Sequence, residues 1–156
     1  MNEVEIGTIN FSNIIKEAEV TFIRGRFNPK KIGECKICVY SSEGQIPHFH
    51  IFNLNKTFNC CVRIHEAYFF SHGNIYRDIL NSSQCKELNR WLKDKNSKER
   101  NLTNWEYISK IWEMNNPECL YPMNLLSNKQ PDYANMMNQL SPKYDKYPRH
   151  FLTTHK

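Results

Sequence analysis

A chain of 156 residues with nine Phe, eight Tyr and three Trp can bury a substantial core, which excludes wholesale disorder. The net charge of +5 admits anionic partners, but acidic residues are mixed among the basic ones, so no nucleic-acid-binding stripe is indicated. There is no hydrophobic leader and no apolar run near the roughly 20 residues that span a bilayer, so we expect a cytoplasmic protein without membrane contact.

The first third of the chain predicts a helix followed by two strands. Apolar positions in residues 11–18 have helical spacing, and residues 20–23 form a short β-type run. Residues 28–33 are rich in turn formers and predict a loop. Residues 34–41 alternate as a second strand.

The middle of the chain predicts the rest of a sheet. Strands are expected at residues 47–52 and 58–65, with one more short strand at 67–70. The loops between them are too short for helical crossovers, so the strands should form an antiparallel meander.

After Gly73 the apolar period changes to that of helices. Asn81 can cap a first helix, whose apolar stripe includes Leu88 and Trp91. Thr103 and Glu106 form a capping-box pattern at the start of a second helix, which should end at residues 115–117.

These elements predict an α+β fold, a small antiparallel β-meander with two or three helices packed on one face. Residues 1–120 should form a single domain. Residues 121–156 are punctuated by proline and predict a C-terminal extension that packs loosely, is partly disordered or docks on a partner, with a short helix at 133–140.

The strongest functional indication is a group of histidines on two neighbouring strands. Strand alternation places His48 and His50 on one face, and it places Arg63 and His65 of the next strand on the same face. We therefore take His48, His50, Arg63 and His65 as the candidate catalytic residues and expect them to form one solvent-accessible cluster.

A metal site is one use of this cluster. His48-x-His50 has a chelating spacing, to which His65 or His72 can add a third nitrogen. Zinc is thus an alternative, although our expectation is a protein without a cofactor. Cys35-x-x-Cys38 lies in an alternating strand, which directs the two sulfurs to opposite faces and so does not predict a zinc knuckle.

Chemistry without a metal is a second use. Ribonuclease action needs a base, an acid and cations, which the histidines can supply together with Arg63, Lys36 and Tyr40. Nucleophilic catalysis by cysteine would require Cys61 beside His65. The third use involves no chemistry, with the histidine face or a strand edge serving as a docking surface.

The residues that carry a resemblance are the Pro47-His48-Phe49-His50 strand, the strand around Val62, the turn at Gly73 and two Trp-bearing helices. Over roughly residues 34–116 this pattern resembles the DUF4160 family of small bacterial domains. The resemblance implies a toxin–antitoxin-like protein of bacterial or mobile-element origin that acts mainly as a binding module with a protein partner. A His-dependent ribonuclease or RNA-binding protein using His48, His50 and His65 is the alternative.

Overall fold

The computed structural model of the protein describes residues 3–11, 33–70, 78–119 and 129–136. Four strands form one antiparallel sheet in the order β1-β2-β3-β4, which confirms the predicted α+β fold and the meander. The strands are β1 (Glu3–Asn10), β2 (Glu34–Tyr40), β3 (His48–Asn53) and β4 (Asn59–Arg63). Residues 12–32, which include the helix and the strand expected there, lie outside the described residues.

Strand β1 was not predicted, and a β-bulge explains why. Its register against β2 shifts between Glu5 and Gly7. Ile6 and Ile9 are both buried although they are three residues apart, so the apolar pattern does not keep the period of two that marks a strand.

The two predicted helices are present with the predicted caps. Helix α1 (Ser82–Lys93) begins after Asn81, and helix α2 (Asn104–Asn115) begins after Thr103, each with a complete capping box. The hydroxyl of Thr103 accepts from the amide of Glu106 at 3.1 Å, and the Glu106 carboxylate accepts from the amide of Thr103 at 2.9 Å. None of the helices within the described ranges has the length and apolar character needed to cross a membrane.

The main core joins one face of the sheet to the buried faces of both helices. Its members are apolar side chains from all four strands and from the two helices, among them Ile37, Phe49, Ile51, Val62, Leu88, Leu92, Trp105, Ile108 and Trp112. Residues 67–70 extend the sheet only through a single bridge between Val62 and Phe69, so the strand expected there is reduced to one pair.

Part of the predicted loose extension belongs to this core. A short 3₁₀-helix (Tyr133–Asn135) brings in Tyr133, which has no exposed surface. The Tyr133 hydroxyl lies 2.8 Å from the carbonyl oxygen of Arg63 and 2.6 Å from that of Ile64. Residues 129–136 are therefore packed rather than loose, while residues 137–140 of the expected helix lie outside the described part.

The capping box of α2 yields a stability prediction. Thr103→Ala removes the oxygen that accepts from Glu106 and should lower the free energy of unfolding by about 1 kcal/mol, measured by urea denaturation. Thr103→Ser keeps a hydroxyl and should stay close to the wild type. Equal stability of the Ala variant and the wild type would contradict this role for the cap.

Candidate metal-binding site

Strand β3 is buried on both faces, which corrects the expectation of a solvent-accessible histidine cluster. His48 has no exposed surface and His50 is 8% exposed. The ring of His48 stacks on Phe70 at a centroid distance of 4.4 Å. On this side of the sheet Ile46, Cys61 and Phe70 form a second, smaller apolar cluster. Side chains from outside β3 thus cover a face that the strand pattern alone predicted to be exposed to water.

The loop between β2 and β3 brings a carboxylate onto this covered face. Glu43 lies between Ser42 (φ 56°) and Gly44 (φ 95°), which both have positive φ angles. Glycine adopts such a conformation without strain, because it has no Cβ atom. The side chain of Asn116, just after α2, accepts from the Glu43 amide at 2.9 Å and donates to the carbonyl of Tyr40 at 3.0 Å. The end of α2 therefore holds the loop that carries Glu43.

Two imidazole nitrogens converge on one oxygen of Glu43. Nε2 of His48 is 2.8 Å from Oε1 of Glu43, and Nε2 of His50 is 2.6 Å from the same atom. The carboxylate is itself 7% exposed, and the side chain of His50 is 10% exposed. The three donor atoms lie within 4.8 Å of one another, so Glu43, His48 and His50 can together hold a metal ion.

The other ring nitrogen of His48 determines its tautomer. Nδ1 of His48 lies 2.7 Å from the carbonyl oxygen of Ile46, which carries no proton, so Nδ1 must be the donor. In the neutral ring, Nε2 then presents a lone pair to Glu43. Burial lowers the pKa of His48 below its usual value, although the hydrogen bond with Glu43 acts in the opposite direction. A proton or a cation is needed between Nε2 and the carboxylate, because two lone pairs repel each other.

His50 is held by different neighbours. Its Nδ1 lies 3.3 Å from Sγ of Cys61, its direct partner in the register of β3 and β4. The ring of Tyr40 meets the imidazole edge-on at a centroid distance of 4.7 Å. The predicted pairing of Cys61 with His65 is therefore replaced by a contact between Cys61 and His50.

The structure separates the other two predicted site residues from this group. Arg63 pairs with His48 in register and so lies on the face that alternation predicted, but it is 3% exposed and its guanidinium forms an ion pair with Glu66. Strand β4 ends at Arg63, so the alternation does not reach His65. His65 instead packs edge-on against Trp105, at a centroid distance of 5.7 Å.

Sequence reasoning missed Glu43, which lies in the loop between the strands predicted at residues 34–41 and 47–52. The available signal was a Glu five residues before a His-x-His strand, in a turn containing Gly44. The sulfurs of Cys35 and Cys38 lie on opposite faces of β2, as the strand alternation predicted. Cys35 lies in the main core, whereas Cys38 contacts the carboxylate of Glu3. Burial raises the pKa of each thiol to about 12, which disfavours thiolate ligands at either position.

Comparison with known protein families, with curated proteins and with solved structures finds no match to this chain. The resemblance to the DUF4160 family, with the function that it implies, therefore stays a prediction.

Asn116 provides a test of how the Glu43 loop is held. Asn116→Ala removes the acceptor for the Glu43 amide and two donated hydrogen bonds at a site that is 2% exposed, so it should destabilise the fold by about 2–3 kcal/mol. Hydrogen exchange at the Glu43 amide should accelerate. Asn116→Asp keeps an acceptor and should preserve slow exchange at that amide. Unchanged exchange in the Ala variant would show that Asn116 does not hold the loop.

His65 predicts a specific acid sensitivity. Burial lowers its pKa to about 4, and within the described residues neither ring nitrogen has a hydrogen-bond partner. The unfolded chain titrates near pH 6.5, so between that value and pH 4 it binds more protons and stability falls as the pH falls. Between pH 7 and pH 5, His65 should cost about 1–2 kcal/mol in the free energy of unfolding.

His65→Phe and His65→Gln cannot titrate and should both remove that part of the loss, measured by urea unfolding at the two pH values. If both variants kept the full acid-induced loss, His65 would not be its source.

Proposed function

We propose that this chain binds one divalent transition-metal ion through Oε1 of Glu43 and the Nε2 atoms of His48 and His50. Zinc is the ion that we expect there. The observation that carries the proposal is the convergence of two imidazole nitrogens on one carboxylate oxygen, at 2.8 and 2.6 Å. Imidazole and carboxylate are preferred zinc ligands, and a backbone carbonyl that fixes the tautomer of a ligating histidine is a recurrent feature of such sites.

The spacing of the donors requires only a small adjustment. Tetrahedral zinc with bonds of about 2.0–2.1 Å places its ligand atoms about 3.3 Å apart, so the donors must separate by roughly half an ångström. Glu43 lies on a loop between two strands, where a rotation of its side chain can provide that movement. His48 and His50 lie on the inner strand β3, and their donor atoms and that of Glu43 are all within 4.8 Å of one another.

The small exposed area of the site limits what can bind there. The side chains of His50 and Glu43 are 10% and 7% exposed and that of His48 is fully buried, so the open side of the group admits only water or an ion. A His-His-Glu set with water or substrate as a further ligand is one used by zinc hydrolases, and activation of that water is the chemistry that a bound ion would supply.

The functions implied by the resemblance remain proposals alongside this one. A toxin–antitoxin-like binding module with a protein partner is compatible with a metal site. A ribonuclease using the histidines directly is less favoured, because His48 and Arg63 are buried and Arg63 is paired with Glu66. The open side of the metal site would be the place for any hydrolytic chemistry.

Metal binding is tested on protein purified without a polyhistidine tag and treated with a chelator. Titration with Zn²⁺ against a competing chromophoric chelator should show one equivalent bound. Co²⁺ bound in its place should give the visible absorption of a four- or five-coordinate ion with nitrogen and oxygen ligands. Glu43→Gln, which removes the negative charge, and His50→Ala, which removes the imidazole, should each weaken zinc binding by at least about 10- to 100-fold, the loss that removal of a ligand's hydrogen-bond partner already causes.

His65→Gln is the matched control, since it removes an imidazole outside the group and should bind zinc as the wild type does. Circular dichroism of each variant checks that the fold is retained. Absence of stoichiometric binding, or binding unaffected by Glu43→Gln and His50→Ala, would contradict the proposal and would make the triad a structural hydrogen-bond network.

A further inference from the structure

Cys61 lies behind the proposed ligand His50, on the side away from Glu43. The two residues are direct partners across β3 and β4, and Sγ of Cys61 is 3.3 Å from Nδ1 of His50. The thiol has no exposed surface and packs with Ile46 and Phe70. A buried thiol is a poor candidate for a nucleophile, because no substrate can reach it.

The position of the thiol gives it a different role. A histidine that binds a metal through Nε2 carries its proton on Nδ1, and the group that accepts this proton orients the ring. For His48 that group is the carbonyl of Ile46, which can only accept. For His50 it is the sulfur of Cys61, which can accept or donate.

This difference makes the two histidines unequal. Without an ion, these contacts can form a series of hydrogen bonds that all run in one direction. The Cys61 thiol donates to Nδ1 of His50, and Nε2–H of His50 donates to Oε1 of Glu43. One proton between Glu43 and Nε2 of His48 completes the series, and Nδ1–H of His48 donates to Ile46. Each donor in this series faces an acceptor, and the buried groups can all be neutral.

An ion on Nε2 of His50 reverses the first step of this series. Nε2 must lose its proton to solvent, Nδ1 must take one up, and the thiol must then accept rather than donate. His48 keeps its proton on Nδ1, and the ion displaces to solvent only the proton that Nε2 of His48 shares with Glu43.

We propose that Cys61 is a positioning residue for the metal ligand His50, whose hydrogen bond reverses direction when Nε2 binds the ion. The inference rests on the proposed metal site. A side chain in this place must be able both to donate and to accept, a requirement that a thiol and a hydroxyl meet and an apolar group does not.

The test uses the full chain with ¹⁵N-labelled histidine and three substitutions at residue 61. In the wild type, imidazole ¹⁵N shifts should show the proton of His50 on Nε2 without metal and on Nδ1 with one equivalent of Zn²⁺. Cys61→Ala should weaken zinc binding by about 10- to 100-fold, as loss of such a partner does at other metal sites. Cys61→Ser should remain within about threefold of the wild type. Cys61→Val, which keeps apolar volume, replaces the Ala variant if that variant does not fold.

Cys60→Ala is the matched control, since Cys60 is the adjacent residue but lies in the main core on the opposite face. It should lower stability without changing zinc affinity. Wild-type zinc binding together with unchanged affinity in Cys61→Ala and Cys61→Val would overturn this inference and leave the metal site intact. Absence of zinc binding in the wild type would overturn the metal site and, with it, the reversal.

Discussion

The arrangement of the covered sheet face depends on the contact of two imidazoles with one carboxylate oxygen. A polar group that is removed from water must find a partner inside the protein, and the cost of failing to do so is about 1–3 kcal/mol for each group. Glu43 offers one atom to both His48 and His50, so the polar side of the central strand can be buried without orphaned nitrogens. The loop, the end of α2 and the small apolar cluster around Phe70 can close over the sheet because this contact exists.

The loop that carries Glu43 is also bonded to the end of α2. Asn116 follows the last turn of α2 and bonds both the amide of Glu43 and the carbonyl of Tyr40. The carboxylate is thus placed by a residue that belongs to another element and lies 73 positions further along the chain. The Asn116 side chain therefore links the end of α2 to the loop that carries Glu43, together with the hydrogen bonds between Gln45 and the residues just after α2.

Local patterns predicted what depends on near neighbours. Alternation correctly placed His48, His50 and Arg63 on one face, and the residue types at Thr103 and Glu106 correctly predicted a capped helix. The prediction failed where distant segments decide the outcome. The ring of His48 is covered by Phe70 and Trp112, and the role of Glu43 depends on Asn116. The convergence of Glu43, His48 and His50 could not be read from periodicity, because it depends on the spacing of side-chain atoms.

The bond from Tyr133 to the carbonyl of Arg63 joins residues 70 positions apart, and it has a consequence for synthesis on the ribosome. At roughly 5–20 residues per second, the tyrosine is added roughly 4 to 14 seconds after the arginine. Both helices are added within that interval, and the last residue of α2 precedes Tyr133 by 18 residues, or roughly 1 to 4 seconds. During those last seconds the sheet and both helices have been synthesised, while the Arg63 and Ile64 carbonyls still lack the hydroxyl that lies beside them in the finished fold. The nascent protein therefore passes through a period in which its core is almost assembled but not yet closed.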